Sequence, residues 1–222
     1  MNITAESRVG EIAAHHPMAT RVFARHGIDF CCGGGVPLEQ ACARRDLDTV
    51  QVLDEIDQAL AEGDPDLEQW TEAPAADLVR HIVHAYHMPL REELPRLESM
   101  LRKVNRVHGD KDPERLGSLL STFLKLQTEL ADHMAREEGV LFPEILEYGE
   151  GAVVPFEPFV DDHTEAGEAL ARIRELTDDY RVPDGACNTW RALWHGLEAL
   201  EESMHQHIHL ENNVLFPRVN GA

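Results

Sequence analysis

Two segments of the chain repeat a pattern of residues that could bind metal. His133 and Glu137 precede Val-Leu-Phe-Pro at 140–143, and His207 and Glu211 precede the same four residues at 214–217. The two copies lie 74 residues apart (207 − 133). On an α-helix, residues four apart lie on one face, one turn from each other. Each His–Glu pair could therefore hold one side of a metal site, and two pairs could bind two ions.

The repeat extends to two single histidines, because His87 precedes His133 by 46 residues and His163 precedes His207 by 44. Each half thus predicts a helical hairpin with one histidine on its first helix and a His–Glu pair on its second. All these positions fall on the apolar stripes of their helices, where leucine is the usual residue. A buried carboxylate is costly unless it is paired or bound to metal. We therefore predict one set of metal ligands: His87, His133, Glu137, His163, His207 and Glu211.

The donor types in this set indicate the metal. The absence of thiolate argues against a structural zinc–cysteine site, and four imidazoles argue against magnesium or calcium. Histidine and carboxylate in a helical bundle favour iron, with manganese and zinc as rivals. Two metals bridged by both carboxylates would keep positions for an oxo group, water or a small diatomic molecule. The alternative is that these are satisfied core histidines and surface glutamates, which would be the ordinary explanation of a single His-x-x-x-Glu.

Helical patterns account for the chain, and no strand alternation is convincing. Residues 1–62 predict a small helical module, 63–75 a polar linker broken by prolines, and 76–222 four long helices. Short connections between long amphipathic helices predict an all-α, antiparallel four-helix bundle. The four helices are expected at about 76–108, 112–148, 155–180 and 184–217.

Two further histidines, His205 and His209, flank His207 in the sequence. On a helix they point away from the face that carries His207. We therefore expect both to be exposed to solvent. Pro89, two residues after His87, does not suit a regular helix and predicts either a kink or a helix boundary there.

Charge and cysteine content exclude several classes of function. The chain has 20 basic and 41 acidic residues, a net charge of −21. This argues against nucleic-acid binding and against anionic membrane surfaces. Four cysteines in 222 residues do not form a disulfide scaffold, and the first residues lack the apolar run of a signal peptide. A cytoplasmic location is the simplest expectation, and the chain could be a monomer or a homodimer.

The segment Asp29-Phe30-Cys31-Cys32-Gly33-Gly34 predicts a glycine-rich turn that carries two adjacent thiols. Accessible thiols at Cys31 and Cys32 could hold iron transiently, react with nitric oxide or exchange with other thiols. Equally, the two could be buried structural cysteines that close the small module. The residues alone leave both interpretations open.

The C-terminal part resembles a hemerythrin-like domain, and the Asp-Phe-Cys-Cys-Gly-Gly turn resembles the N-terminal module of the repair-of-iron-centres (RIC) family. The resemblance covers nearly the whole chain and includes Leu-Glu-Asn-Asn-Val-Leu-Phe-Pro at 210–217. It implies a non-haem di-iron centre, with an oxo bridge as an option, on the six ligands already named. The two glutamates would be the bridges. Oxygen-carrying hemerythrins have an additional histidine and an aspartate, which argues against simple oxygen carriage here.

The function that the resemblance implies is repair of iron–sulfur clusters damaged by nitric oxide or oxidative stress. The di-iron site would donate iron or remove nitric oxide, and damaged iron–sulfur proteins would be transient partners. Two alternatives stay open. The chain could be an enzyme or scavenger that reduces nitric oxide to nitrous oxide, or a sensor or carrier of oxygen or nitric oxide.

Overall fold

The computed structural model describes residues 3–16, 18–30, 34–62, 70 and 73–221. Within these ranges the chain is helical and contains no strand, apart from one isolated bridge between Arg8 and Pro37. The all-α prediction is confirmed. Among the described helices, none combines the length and the apolar composition that a membrane span requires. The α-helices are α1 Val9–His15, α2 Ala19–Arg25, α3 Leu38–Ala43, α4 Thr49–Glu62, α5 Ala75–Ile82, α6 Met88–His108, α7 Pro113–Arg136, α8 Phe142–Tyr148, α9 Glu157–Leu176, α10 Asn188–His209 and α11 Phe216–Val219.

Three wide π-helical segments interrupt the predicted long helices: π1 Val83–His87, π2 Glu137–Leu141 and π3 Leu210–Leu215. A proline stands two residues after the end of each segment, at 89, 143 and 217. Proline has no N–H and its ring clashes with the carbonyl four residues earlier, so a regular α-turn is unfavourable there. A π-turn shifts the hydrogen bonds to residues five apart and makes room for the ring. Pro89 therefore lies just after a change from π-helix to α-helix, and the backbone is helical on both sides of it.

The third long helix ends earlier than predicted, at Leu176 rather than near Tyr180. Asp178, Asp179 and Tyr180 all have left-handed backbones, with φ of 54°, 59° and 56°. Each such residue costs about 1–2 kcal/mol. The turn is held by an ion pair between Arg174 and Asp179, and by a hydrogen bond from the Tyr180 N–H to Thr177 Oγ1 at 3.2 Å.

The chain divides into two compact units. The first comprises Met1–Ile82, Phe142–Phe156 and His205–Ala222, and the second comprises Val83–Leu141 and Glu157–Met204. In the first unit α2 and α3 pack on α4, and α1 packs on π3. The predicted boundaries at 1–62, 63–75 and 76–222 stay a prediction, and most of the expected linker lies outside the described residues.

Phe30 and Gly34 are the described residues on either side of Cys31, Cys32 and Gly33, and both are fixed within the first unit. Phe30 is only 1% exposed. The Gly34 carbonyl accepts a hydrogen bond from the Gly10 N–H at 2.8 Å. A Cβ at Gly34 would lie 2.7 Å from Gly10 Cα, so this close approach requires glycine.

In the second unit α7 packs against both α6 and α9. The contacts between α6 and α7 show that these two helices run in opposite directions. His87 meets Glu138, whereas Glu98, farther along α6, is hydrogen-bonded to Gln127, which lies earlier on α7. These pairings are those of an antiparallel helical hairpin.

The part of α10 in the second unit approaches two other helices. Arg174 on α9 is ion-paired with Glu201 at 2.7 Å. A Cβ built on Gly196 would lie 2.6 Å from Leu97 Cδ2 on α6, so this glycine permits a close approach of α10 to α6. These contacts support the antiparallel four-helix arrangement, which stays a prediction in its full detail.

Candidate metal centre

Glu137 lies at the centre of the predicted ligands in the second unit. It is the first residue of π2, is fully buried, and stands one helical turn after His133. Its Oε1 lies 3.1 Å from Nε2 of His133, and its Oε2 lies 3.3 Å from Nε2 of His87. Each carboxylate oxygen thus faces a different imidazole, so both oxygens of Glu137 point toward nitrogens that could share a metal site with it.

His163 completes this group from α9. Its Nε2 lies 3.0 Å from Nε2 of His133, and one ligand atom from each of His133, Glu137 and His163 falls within 4.8 Å of the others. Two ligands bound to one ion at about 2.1 Å and at right angles lie about 3.0 Å apart. The nitrogen and oxygen separations of 3.0–3.3 Å therefore match those of neighbouring ligands on one metal ion, although hydrogen bonds have the same lengths.

The energetics of this group also fit a metal. Among the residues that the structure describes, neither oxygen of Glu137 has a hydrogen-bond partner. A carboxylate buried without a partner costs several kcal/mol, which is a large part of the total stability of a domain. Divalent ions would neutralise this charge and would occupy the nitrogen lone pairs that face it. The second unit therefore contains a group of histidine and glutamate able to hold a metal ion.

The other two predicted ligands meet in the first unit. His207, near the end of α10, and Glu211, in π3, are 1% and 0% exposed. His207 Nε2 lies 3.1 Å from Glu211 Oε1. This pair has the same spacing and burial as His133 and Glu137, as the sequence repeat predicted. The assignment of all six residues to one centre stays a prediction.

Two residues that the sequence analysis missed support the histidines of the second unit. Glu138 Oε1 lies 2.7 Å from Nδ1 of His87 and also 2.7 Å from Nη2 of Arg91. Burial alone would raise the pKa of Glu138, but the hydrogen bonds from His87 and Arg91 outweigh it and lower the pKa. Glu138 is therefore held as a carboxylate beside a predicted ligand.

Asp162 does the same for His133. Its Oδ2 lies 2.9 Å from Nδ1 of His133 and is paired with Arg136. Here too burial alone would raise the pKa of the Asp162 carboxyl, and the bonds from His133 and Arg136 lower it. Both acids stand directly beside a predicted ligand in the sequence, at 137 and 163, and that adjacency was the available signal.

The expected exposure of His209 is wrong. Its side chain is 3% exposed, and burial lowers its pKa to about 4. The ring of Phe30 lies edge-on at 5.8 Å from its ring and at 5.6 Å from the ring of His205. The N-terminal module thus covers the side of α10 that the helical pattern alone assigned to solvent.

A cavity of about 220 Å³ lies beside His133 and His163 in the second unit. Its wall includes three further acids, Glu129, Asp132 and Glu165. Cys31 and Cys32 lie outside the described residues, so their assignment stays a prediction.

Comparison with known proteins gives two family matches. Residues 78–219 match the Hemerythrin HHE cation binding domain, and residues 5–60 match a Domain of Unknown function (DUF542). The first match covers more than half of the chain and identifies the family of this helical domain. All six predicted ligands lie within the matched residues.

Curated relatives are similar over nearly the full chain. Iron-sulfur cluster repair protein YtfE of Edwardsiella ictaluri is 43% identical over 220 residues, 96% of each chain. YtfE of Escherichia coli O17:K52:H18 is 41% identical over 211 residues, 95% of this chain and 94% of its own. A Probable iron-sulfur cluster repair protein of Haemophilus influenzae is 36% identical over 220 residues, 97% of both.

Proposed function

Because the chain belongs to the YtfE family of iron-sulfur cluster repair proteins and carries its hemerythrin domain, we propose that it repairs iron–sulfur clusters damaged by nitric oxide or oxidative stress. Damaged iron–sulfur proteins in the cytoplasm would be its transient partners. The repair would consist of iron donation, of nitric oxide removal, or of both. The names of the relatives support the repair function, and the site supports the iron.

The site that we propose holds two iron ions on His87, His133, Glu137, His163, His207 and Glu211. The observation that carries this assignment is the fully buried Glu137 carboxylate, whose two oxygens face two different imidazoles. The repeat places Glu211 in the same relation to His207, which supports a second bridge. When bound, the two irons would supply the binding and redox chemistry for a diatomic ligand, and iron itself would be the cargo in donation.

The chain's own residues would hold the iron and control access to it. Imidazole ligands bind iron less firmly than thiolates bind zinc in structural sites, which suits a metal that must be released. The cavity beside His133 and His163 is large enough for a diatomic molecule or a hydrated ion. Its acids favour cations over anions at this wall.

The occupancy of the site is tested by metal analysis and Mössbauer spectroscopy after anaerobic reconstitution with ferrous iron. We expect two irons per wild-type chain and a marked loss in Glu137→Ala and in Glu211→Ala. Glu98→Gln is the matched control, because Glu98 is ion-paired with Arg102 on the outer part of α6. A wild-type chain that stays folded and binds no transition metal would overturn the assignment.

The repair function is tested with a [4Fe–4S] dehydratase inactivated by nitric oxide. We expect the iron-loaded wild type to restore its activity faster than equimolar free ferrous iron with thiol, and Glu137→Ala to give no such gain. Equal recovery with free iron and thiol would remove the support for repair. Replacing Cys31 and Cys32 by serine in the same assay tests whether the thiols assist the transfer.

The second candidate, reduction of nitric oxide by the chain itself, is favoured by the two Glu137 oxygens that face different imidazoles, since such a carboxylate could hold two irons close together. It predicts sustained formation of nitrous oxide in the presence of a reductant. One stoichiometric event per site followed by inactivity would exclude it as an enzymatic activity.

A further inference from the structure

We propose that Glu138 and Asp162 are positioning residues, each held by an arginine, that fix the tautomer and the direction of His87 and His133. The inference rests on the proposed function, since it concerns two of the ligands assigned there. The two acids occupy equivalent places, yet one follows Glu137 on π2 and the other precedes His163 on α9. The correspondence is therefore one of contacts rather than of sequence.

The two carboxylates fix the position of a proton on each histidine. A carboxylate can only accept a hydrogen bond, so the 2.7 Å contact of Glu138 and the 2.9 Å contact of Asp162 require N–H at Nδ1 of each histidine. A neutral imidazole that carries its proton on Nδ1 has its lone pair on Nε2. In both histidines Nε2 is the atom that faces Glu137. The acids thus select the tautomer in which the metal-facing nitrogen is a ligand.

The arginines fix the acids in turn. Arg91 donates from Nη2 to the same oxygen of Glu138 that faces His87, and Arg136 pairs with the oxygen of Asp162 that faces His133. In each carboxylate one oxygen is therefore shared by a histidine and an arginine, and the group cannot rotate without losing its charged partner. Fixed partners of this kind orient metal-binding histidines and make them stronger donors.

The additional contact with a predicted histidine ligand separates these acids from ordinary surface ion pairs. Glu138, Asp162 and Glu98 are similarly exposed, at 30%, 32% and 28% of their side chains, and each is paired with an arginine. Glu98, however, pairs with Arg102 on its own helix, and its hydrogen bonds go to Arg102 and Gln127. It is therefore a control matched in charge, exposure and partner type.

The first test measures the release of ferrous iron from the loaded protein to a strong chelator. Loss of the carboxylate in Glu138→Ala or Asp162→Ala is expected to speed release about 10- to 100-fold. Glu138→Gln and Asp162→Asn keep an oxygen that accepts from Nδ1 but lose the charge, so an intermediate effect is expected. Glu98→Ala should leave the rate unchanged within about twofold, as expected for an exposed ion pair. Release as slow in both alanine variants as in the wild type would overturn the proposal.

The second test needs no metal. Long-range ¹H–¹⁵N NMR of the metal-free protein reports which nitrogen of each imidazole carries the proton. We expect Nδ1–H in His87 and His133 of the wild type, retention of it in the glutamine and asparagine variants, and a mixture of tautomers in the alanine variants. Nε2–H in the wild type would refute the positioning role even if the metal assignment holds. Conversely, a wild type that binds no iron but shows Nδ1–H would defeat the metal assignment alone.

Discussion

Glu201 and Glu137 are two glutamates of the second unit with almost no exposed surface, 4% and 0%, and their charges are neutralised in different ways. Glu201 accepts from Nε of Arg174 at 2.9 and 3.1 Å and is paired with its Nη2 at 2.7 Å. Glu137 instead faces imidazole nitrogens of His133 and His87, at 3.1 and 3.3 Å. A guanidinium is always charged, whereas an imidazole is a permanent partner only with a proton or a metal.

The difference separates a structural ion pair from the proposed metal site in the same helical unit. Burial alone would lower the pKa of Arg174, but its bonds with Glu201 more than reverse this and raise the pKa. Its guanidinium also lies 4.9 Å from the centre of the Tyr180 ring. The charge of Glu201 is therefore neutralised within the chain. At Glu137, the proposed metal ions would supply the positive charge that Arg174 supplies to Glu201.

The largest expected effect comes from the metal itself. Anaerobic ferrous iron at about 1,000 times its dissociation constant should raise the free energy of unfolding of the wild type by about 4 kcal/mol. Glu137→Gln should lose nearly all of this gain, and Glu201→Gln should keep it. Urea unfolding with and without iron measures both. Equal iron stabilisation in the wild type and Glu137→Gln would contradict the distinction between the two glutamates.

Next in size is the loss of the structural pair. Glu201→Gln should lower the free energy of unfolding of the metal-free protein by about 3 kcal/mol, because it leaves a mostly buried guanidinium without its main partner. Glu175→Gln, which removes an exposed partner of Arg172, should cost less than about 1 kcal/mol. Similar small losses in both variants would show that the Arg174 pair contributes little.

The next effect is a smaller change in the free energy of unfolding, of opposite sign, and it concerns Glu137→Gln in the metal-free protein. Glu137→Gln should raise the free energy of unfolding of the metal-free protein by about 1 kcal/mol, since a neutral amide is cheaper to bury and can donate to an imidazole. Thermal and urea unfolding of the metal-free variants measure the sign. A loss as large as that in Glu201→Gln would mean that protonated histidines already stabilise the Glu137 carboxylate.

The sequence predicted the burial of Glu137 and the all-α fold because both depend on local periodicity. A glutamate in line with Leu130 and His133 on an apolar stripe conflicts with burial, and the order of the residues alone reveals that conflict. Glu201 has no comparable signal, since its partner Arg174 lies 27 residues earlier, and only the packing of α9 against α10 brings them together. The same holds for His209, which is buried by the ring of Phe30.

The π segments were within reach of the sequence but were not predicted. Each proline stands two residues past the wide turn, and two of the three prolines belong to the repeated Val-Leu-Phe-Pro. Pro89 has no such repeat around it, so its effect looked like a local irregularity. The shared offset shows instead that the same backbone constraint acts in all three helices, and that Glu137 and Glu211 lie in the widened turns.

The smallest expected effect concerns a third glutamate, Glu55, which is 24% exposed. His26 contacts it at 2.8 Å and, with Gln51 and Arg25, lowers its pKa from 4.5 despite some burial. A lowered carboxyl pKa contributes stability that is present above about pH 4.5 and is lost as the pH falls through the folded-state value. The wild type should therefore exceed Glu55→Gln by less than about 1 kcal/mol at pH 7, and the difference should vanish at lower pH. Urea unfolding of both proteins across this range measures the difference. A gap that stays constant with pH would show that Glu55 acts through packing, unlike the charge-dependent Glu201 and Glu137.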